Sequence, residues 1–595
     1  MKESGRFRWS RLVKPAALLS LVVISCVVAS LVYRNLKDSR ETAVPPPIES
    51  EPGQAAENIR HLEFRSGRLA VEIEADGSTA GEDGNVTFTG NVRFVIHGEP
   101  AGGKTELSAA TIVYDPEQEV FRVSGPVEAI YGRLHVQAPF PGALGKTNKR
   151  KVAESAIYDA SRHEIRLETG FEARIASAED GPGILISGRS LEYDMKTAAG
   201  VVSGLVRFSA GSLVARSDVG GFSFKPGGEG LAKVNLAGSV RFEFKEATPN
   251  GFNESVLEAE KAELTIGAET GLTSAINASA GVKLMRLVAE GGSQILDCSA
   301  FRMDFDRRGV PADFEAVGGV VARLSLESRP EAILSGEKIS YSAERASFVV
   351  TDQARIEDED FVLEAGNVVF QSGEGQAEAT DGVKGYVKSR MDGCQTGIFR
   401  PANPVFFLGG KALIRSEAKS LKLLDMIKIW QENAWLTGSE LEFMAGSRDF
   451  SSEGSLEAFF ISGEDEKVEI KAGDMIYSAS GRRARLGGGV EMKIPAFSAS
   501  SRKAMISFSA ESPEMEGLKL EGEVRLLCGK FKGECNLATF EPESRLLTLE
   551  GEPSLKGPEA DFLRGDKLTF DISNDRIFVE RRGKGRSLII LKLER

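Results

Sequence analysis

Histidine, tryptophan and cysteine are scarce in this 595-residue chain, at four, three and five residues, and aromatics make up only 7%. His61, His97, His135 and His163 are scattered, with no i, i+4 pair among them. No catalytic triad can be assembled from that spacing. The cysteines form no CxxC pair and no Cys/His cluster with metal spacing, which leaves no metal site to expect. A basic stripe is also missing: formal net charge is −13, with acidic and basic residues interspersed. Nucleic acid is therefore excluded as a partner, because neutralising phosphates needs concentrated cations. The one basic concentration, Arg581, Arg582, Lys584, Arg586, Lys592 and Arg595, reads as a solvated strand end.

Two acidic or glycine-rich stretches imitate ligand sites. Glu357-Asp-Glu-Asp360 lacks the spacing and glycine of a calcium loop and reads as a solvated turn. Gly98 to Thr105 matches the phosphate-loop spelling GxxxxGKT, but that loop needs a parallel strand before it and a helix after it. Here it joins two strand-like segments, and a hairpin loop is expected. No enzyme and no cofactor is expected.

Long hydrophobic runs are absent except for one. Residues Pro15 to Tyr33 carry no charge, enough to span a bilayer as a helix. Arg6, Arg8, Arg11 and Lys14 precede the run, placing the 1–14 tail in the cytoplasm by the positive-inside rule. A cleaved signal peptide or a lipoprotein at Cys26 fits less well, because the apolar run continues past that cysteine. An uncleaved anchor over 15–33 is expected, followed by a Pro-containing spacer over 34–58.

What the chain has in abundance is glycine, 64 residues, inside alternating apolar–polar segments. Phe88-Thr-Gly-Asn-Val-Arg-Phe94 alternates with period two. Its pattern, apolar-x-Gly-x-Val-x-apolar, returns around Gly125, Gly204, Gly238, Gly318, Gly488 and Gly522, and in worn form around Ala280 and Gly551. A second element ending in an aromatic and often Asp, as in Leu107–Asp115, precedes many copies. Each unit supplies two or three strands, too few to bury a face alone, so neighbours must stack. Glycine at one recurring position suggests a bend repeated at the same corner of every layer. The expected fold is all-β: a trough-like, jelly-roll-like stack of strands after one transmembrane helix. Ser416–Trp435 has helix-friendly composition, but its second half alternates, and it is read as β. The irregular stretch Lys388–Pro404 is the expected boundary between β regions 59–390 and 391–595. Cys528 and Cys535 flank an expected hairpin tip, where either a disulfide or two buried thiols would fit.

Phe88-Thr-Gly-Asn-Val92, the Ala-x-x-x-x-Tyr-Asp element and Gly565-Asp-Lys-Leu-Thr-Phe570-Asp571 resemble OstA-like repeats. Those repeats build the β-jelly-roll proteins of lipopolysaccharide transport. One N-terminal membrane helix followed by such repeats looks like the LptC family, here continued into an LptA-like bridge. The resemblance implies an inner-membrane anchor with the bulk of the chain in the periplasm. It also implies partners: lipopolysaccharide or a related lipid, an inner-membrane ABC transporter, and other OstA-like or outer-membrane β proteins paired at strand edges. Acyl chains would ride in an apolar groove, each methylene kept from water being worth about 0.8 kcal/mol. The groove positions it implies are Phe88, Val92, Phe94, Val206, Phe208, Val240, Phe242, Phe244, Val490, Val524 and Leu526. The same residues could instead pack against each other as a closed core, since inward alternation looks identical in both cases. Two further readings stay open: an AsmA/TamB-like bridge for phospholipid or outer-membrane biogenesis, and a structural β-solenoid without ligand.

Overall fold

Period-two segments such as Val86–Ile96 and Leu231–Thr248 each form one extended strand in the computed structural model of the chain. The structure describes Ala55 to Glu580, apart from Ser66 and short connecting stretches of which 139–153 is the longest, and then Ile589–Lys592. The run 15–33, the linker before Ala55, Cys26, Cys394 and the side chains of the basic C-terminal run lie outside the described residues. Among the described residues the regular structure is 40 β-strands, and no helix is long and apolar enough to cross a membrane. Strands pair antiparallel with their neighbours, as the fold class expected from alternation requires.

The chain divides into two units. The first holds the residues up to Thr169, with Asp194–Lys196. Its strands Ala55–Arg65, Arg68–Ala80, Val86–Ile96 and Thr105–Asp115 pair in succession. Ile96 pairs with Thr105, so the GxxxxGKT spelling closes an antiparallel hairpin with no helix after it. The strand Ala55–Arg65 inverts the usual pattern. His61 and Glu63 lie opposite the buried Ile73 and Val71, while Leu62 and Phe64 are exposed. Arg65 makes this tolerable by bonding Glu63 (3.0 Å), Glu119 (2.7 Å) and the Ala160 carbonyl (2.7 Å).

The second unit holds Gly170–Tyr193 and everything from Thr197 onward. From Ala199–Ala210 to Arg576–Glu580 its strands form a continuous antiparallel ladder. Ser420–Gln431 and Ala434–Met444 form a hairpin, so the helix-friendly stretch is β. Val387 pairs with Val405, and the ladder runs on across the irregular stretch Lys388–Pro404.

Long strands bend once. Two consecutive residues take left-handed conformations at Gly90-Asn91, Gly204-Leu205, Gly238-Ser239, Ala280-Gly281, Gly318-Gly319 and Gly522-Glu523, with φ between 44° and 87°. The pairing register slips at each, for example between Ala237 and Val240. These bulges turn the chain from one arm of the strand to the other. At Gly238 glycine is required twice over: φ is +74°, and a Cβ would stand 2.6 Å from an Asp218 carboxylate oxygen. Further corners occur at Asp352-Gln353, Asp381-Gly382 and Asp425-Met426, where aspartate takes the first left-handed position. Aspartate tolerates that conformation better than most side chains.

Candidate functional site

Because side chains alternate, each bent strand presents one apolar row before its corner and one after it. In the second unit the register joins these into two rows that cross the whole ladder. On one arm the row passes through Phe208, Ala215, Phe242, Leu257, Leu284, Leu296, Ala322 and Leu334. It goes on through Ile356, Leu363, Gly385, Phe407, Ile429, Leu436, Ala458 and Ile470 to Met492, Ala499 and Leu526. Gly385 keeps the row even, since the Phe407 ring occupies the space its Cβ would take. On the other arm, Leu236, Ala262, Ala278, Phe301, Ala316, Ile339 and Val350 line up likewise.

The two arms face each other. Phe460, after its corner, meets Phe508 on the other arm at 5.8 Å between rings, and Phe497 meets Phe540 at 5.2 Å. In the first unit Phe94 meets Phe121 at 4.9 Å and Tyr158 at 5.7 Å. The space between the arms is therefore an apolar interior filled largely by the protein's own side chains.

All the expected groove positions lie in it. Phe88, Val92 and Phe94 are buried in the first unit. Val206, Phe208, Val240, Phe242, Phe244, Val490, Val524 and Leu526 are buried in the second, Phe244 being the most exposed at 7%. Within each unit they share one inner face, and in this closed arrangement none is open to solvent.

At one place the arms part. Between strands Leu231–Thr248 and Ser347–Glu357 lies a cavity of about 150 Å³. One wall is aromatic: Phe314 stands 5.5 Å from Tyr341, which stands 4.6 Å from Phe348. These rings are half-buried, unlike the fully buried phenylalanines nearer the corner. The other wall carries Phe244, Leu284, Leu296 and Leu334, and beyond them a polar rim. There Arg286 pairs with Glu246 at 2.7 Å, and the Asn253 amide donates to the same carboxylate at 3.3 Å. An apolar cleft with a paired polar rim suits a molecule with a hydrocarbon part and a polar head. Phe314, Tyr341, Phe348 and the rim were not among the expected positions. Of these only Tyr341 carries a sequence signal, as the aromatic that closes a second element, and it reads in sequence as core.

Of the described thiols, Cys298 and Cys535 are buried, and Cys528 is half-buried and donates to the Ala496 carbonyl at 3.6 Å. Burial pushes Cys298 up to about 12 and Cys535 up to about 11. The hairpin around Gly529 exists, but Cys528 pairs with Phe531 and Cys535 with Val524. The register thus sets these two cysteines four positions apart along the ladder, and the bridge considered between them is not formed. The acidic run forms a turn, in which the Asp358 carboxylate accepts from the Asp360 and Phe361 amides, both at 2.8 Å.

No protein-family model matches the sequence, and no curated protein matches it. Among solved structures, the chain is similar to LptH of Pseudomonas aeruginosa, the LptA homologous periplasmic component of a lipopolysaccharide transport device. Identity is 16%, over 21% of this chain and 82% of that one, with a TM-score of 0.18. A likeness at that score carries no argument here.

Proposed function

We propose that the chain is a lipid guide: acyl chains travel between the two arms along the apolar rows while the polar head stays at the open rim. The observation that carries this reading is the continuity of the rows through successive strand registers, from Phe208 to Leu526, with only apolar residues or glycine. A globular core needs no such extension. A path along which a hydrocarbon moves without meeting water does, because each exposed methylene costs about 0.8 kcal/mol.

The cavity of about 150 Å³ is smaller than the 300–1,000 Å³ typical of pockets that engulf a ligand. Lipid therefore enters by parting the arms, exchanging side chain contacts for acyl contacts of similar energy. The bends permit this, since alternate strands are hinged at their own left-handed pairs. The repeats around Phe88 and Phe570 support lipopolysaccharide, or a related glycolipid, as the cargo. The charge-free run 15–33 supports an inner-membrane anchor, with the strands in the periplasm. On this reading an ABC transporter supplies direction, and β proteins downstream receive the lipid at a strand edge.

The test places a photo-reactive amino acid at Phe314, on the aromatic wall, or at its outward neighbour Glu315, in living cells. Lipopolysaccharide adducts at 314 and not at 315 are expected. Phospholipid adducts alone would favour a phospholipid bridge. Absence of any lipid at 314 would favour a sealed structural solenoid, the reading that the burial of the inner rows otherwise fits.

A further inference from the structure

The outer face of the second unit is mostly a lattice of ion pairs, such as Arg216–Glu243, Arg241–Glu258 and Arg355–Glu364. One row breaks that rule. Tyr386, Phe406, Trp430, Trp435 and Phe459 are successive cross-strand partners. Their rings stack, Phe406 on Trp430 at 5.6 Å and Trp435 on Phe459 at 5.9 Å. Two of the chain's three tryptophans thus stand on this outer row. The row ends in a hollow of about 700 Å³, on the side of the sheet opposite the apolar interior. Trp435 and Phe459 form one wall, and the rest includes Glu491, Lys493, Arg525 and Leu527.

We propose that this hollow binds a neutral oligosaccharide of a few sugar rings. Its size lies within the range of about 300–1,000 Å³ common to ligand pockets. As many acidic as basic side chains line it, so a polyanion or a polycation would meet as much repulsion as attraction. A purely apolar ligand would strip water from ion pairs such as Glu457–Lys471 (2.7 Å) without replacing it. A sugar meets both demands. Its C–H face covers the Trp435 and Phe459 rings, and its hydroxyls donate to Glu491 and accept from Arg525. Inner-row residues such as Met492 and Leu526 back the hollow, but the side chains assigned to the sugar stand on the face opposite the lipid path.

Trp435 is a built-in reporter. The full chain carrying Trp9→Phe and Trp430→Phe leaves Trp435 as its single tryptophan. Chitotetraose, maltotetraose and cellotetraose are titrated in turn. A saturable change in Trp435 fluorescence is expected with at least one, below about 10 mM. Calorimetry with that sugar should then show binding weakened about tenfold or more by Trp435→Ala and by Arg525→Gln, with far-UV dichroism unchanged. No saturable change with any of the three sugars would overturn the proposal, as would binding that survives both substitutions. Fluorescence that responds only to phosphatidylglycerol vesicles would overturn it in favour of a membrane contact.

Discussion

Replacing Gly238 by alanine tests the corner on which the two-armed layers depend. The residue sits at φ +74°, and an added Cβ would lie 2.6 Å from Asp218 Oδ2 and 3.0 Å from Asp218 Cβ. Left-handed backbone costs an L-residue about 1–2 kcal/mol, and moving Asp218 adds to it. Against this, alanine loses less chain entropy on folding than glycine, a gain of about 0.4–1 kcal/mol. The balance is a local loss of about 1–2 kcal/mol. An array of stacked units does not unfold in one step, so a single melting temperature would blur the effect. Hydrogen exchange of amides in Leu231–Thr248 and its two neighbours is the sharper assay, with rates rising about tenfold for 1.4 kcal/mol. Asp218→Ala removes the closest clashing atoms and should recover part of the loss. Ala280→Gly is the converse, because Ala280 holds φ +65° where other corners have glycine, and it should slow exchange or leave it unchanged. If Gly238→Ala left exchange untouched, the bend would not depend on this conformation and the hinge account would fail.

Truncating the inner row should cost far more: Phe242→Ala removes a fully buried ring and should destabilise its strands by about 3–5 kcal/mol, read by the same exchange. The exposed corner residues Leu205 and Met426, 90% and 88% accessible, should accept serine with little change in stability. Acid should weaken the outer lattice. Arg241 holds the Glu243 carboxylate below its ordinary 4.5, and Arg355, then Lys388, does the same for Glu357. Folded values below unfolded ones stabilise at higher pH, so protection should hold above 4.5 and fall as pH drops through the depressed values. In alkali the first unit should fail: burial raises Tyr114 and Tyr158 from 10.0 to about 12, so the unfolded chain ionises first and stability falls across that window. Tyrosinate absorbance followed with dichroism would show ionisation and unfolding together.

The bent, stacked strands were legible because alternation and glycine spacing are local. Phe88–Phe94 carries both signals within seven residues, and the corner it announces is at Gly90-Asn91. Corners at Asp352, Asp381 and Asp425 were not legible, since aspartate replaces the glycine that marks the others. The inner faces could be read, but not how tightly they close: Phe242 looks the same in sequence against a lipid or against Leu257. The cavity walls were missed because Phe314 stands 27 residues before Tyr341 and meets it only through the register, while Tyr341 and Phe348 read as an ordinary hairpin pair. The cysteine hairpin is legible in the spacing, whereas the offset between Cys528 and Cys535 depends on which residues start the turn.

The central claim is that lipid moves between the arms, and bridging the arms tests it most directly. Cysteines at Phe460 and Phe508, whose rings touch across the interior at 5.8 Å, can be joined by a short thiol cross-linker in cells. Photo-reactive residues at Phe242 and at Leu526 then report lipid on either side of the bridge. With the arms joined, lipid adducts should persist or grow at 242 and vanish at 526, and return when a cleavable linker is cut. Undiminished adducts at 526 behind a completed bridge would contradict the account.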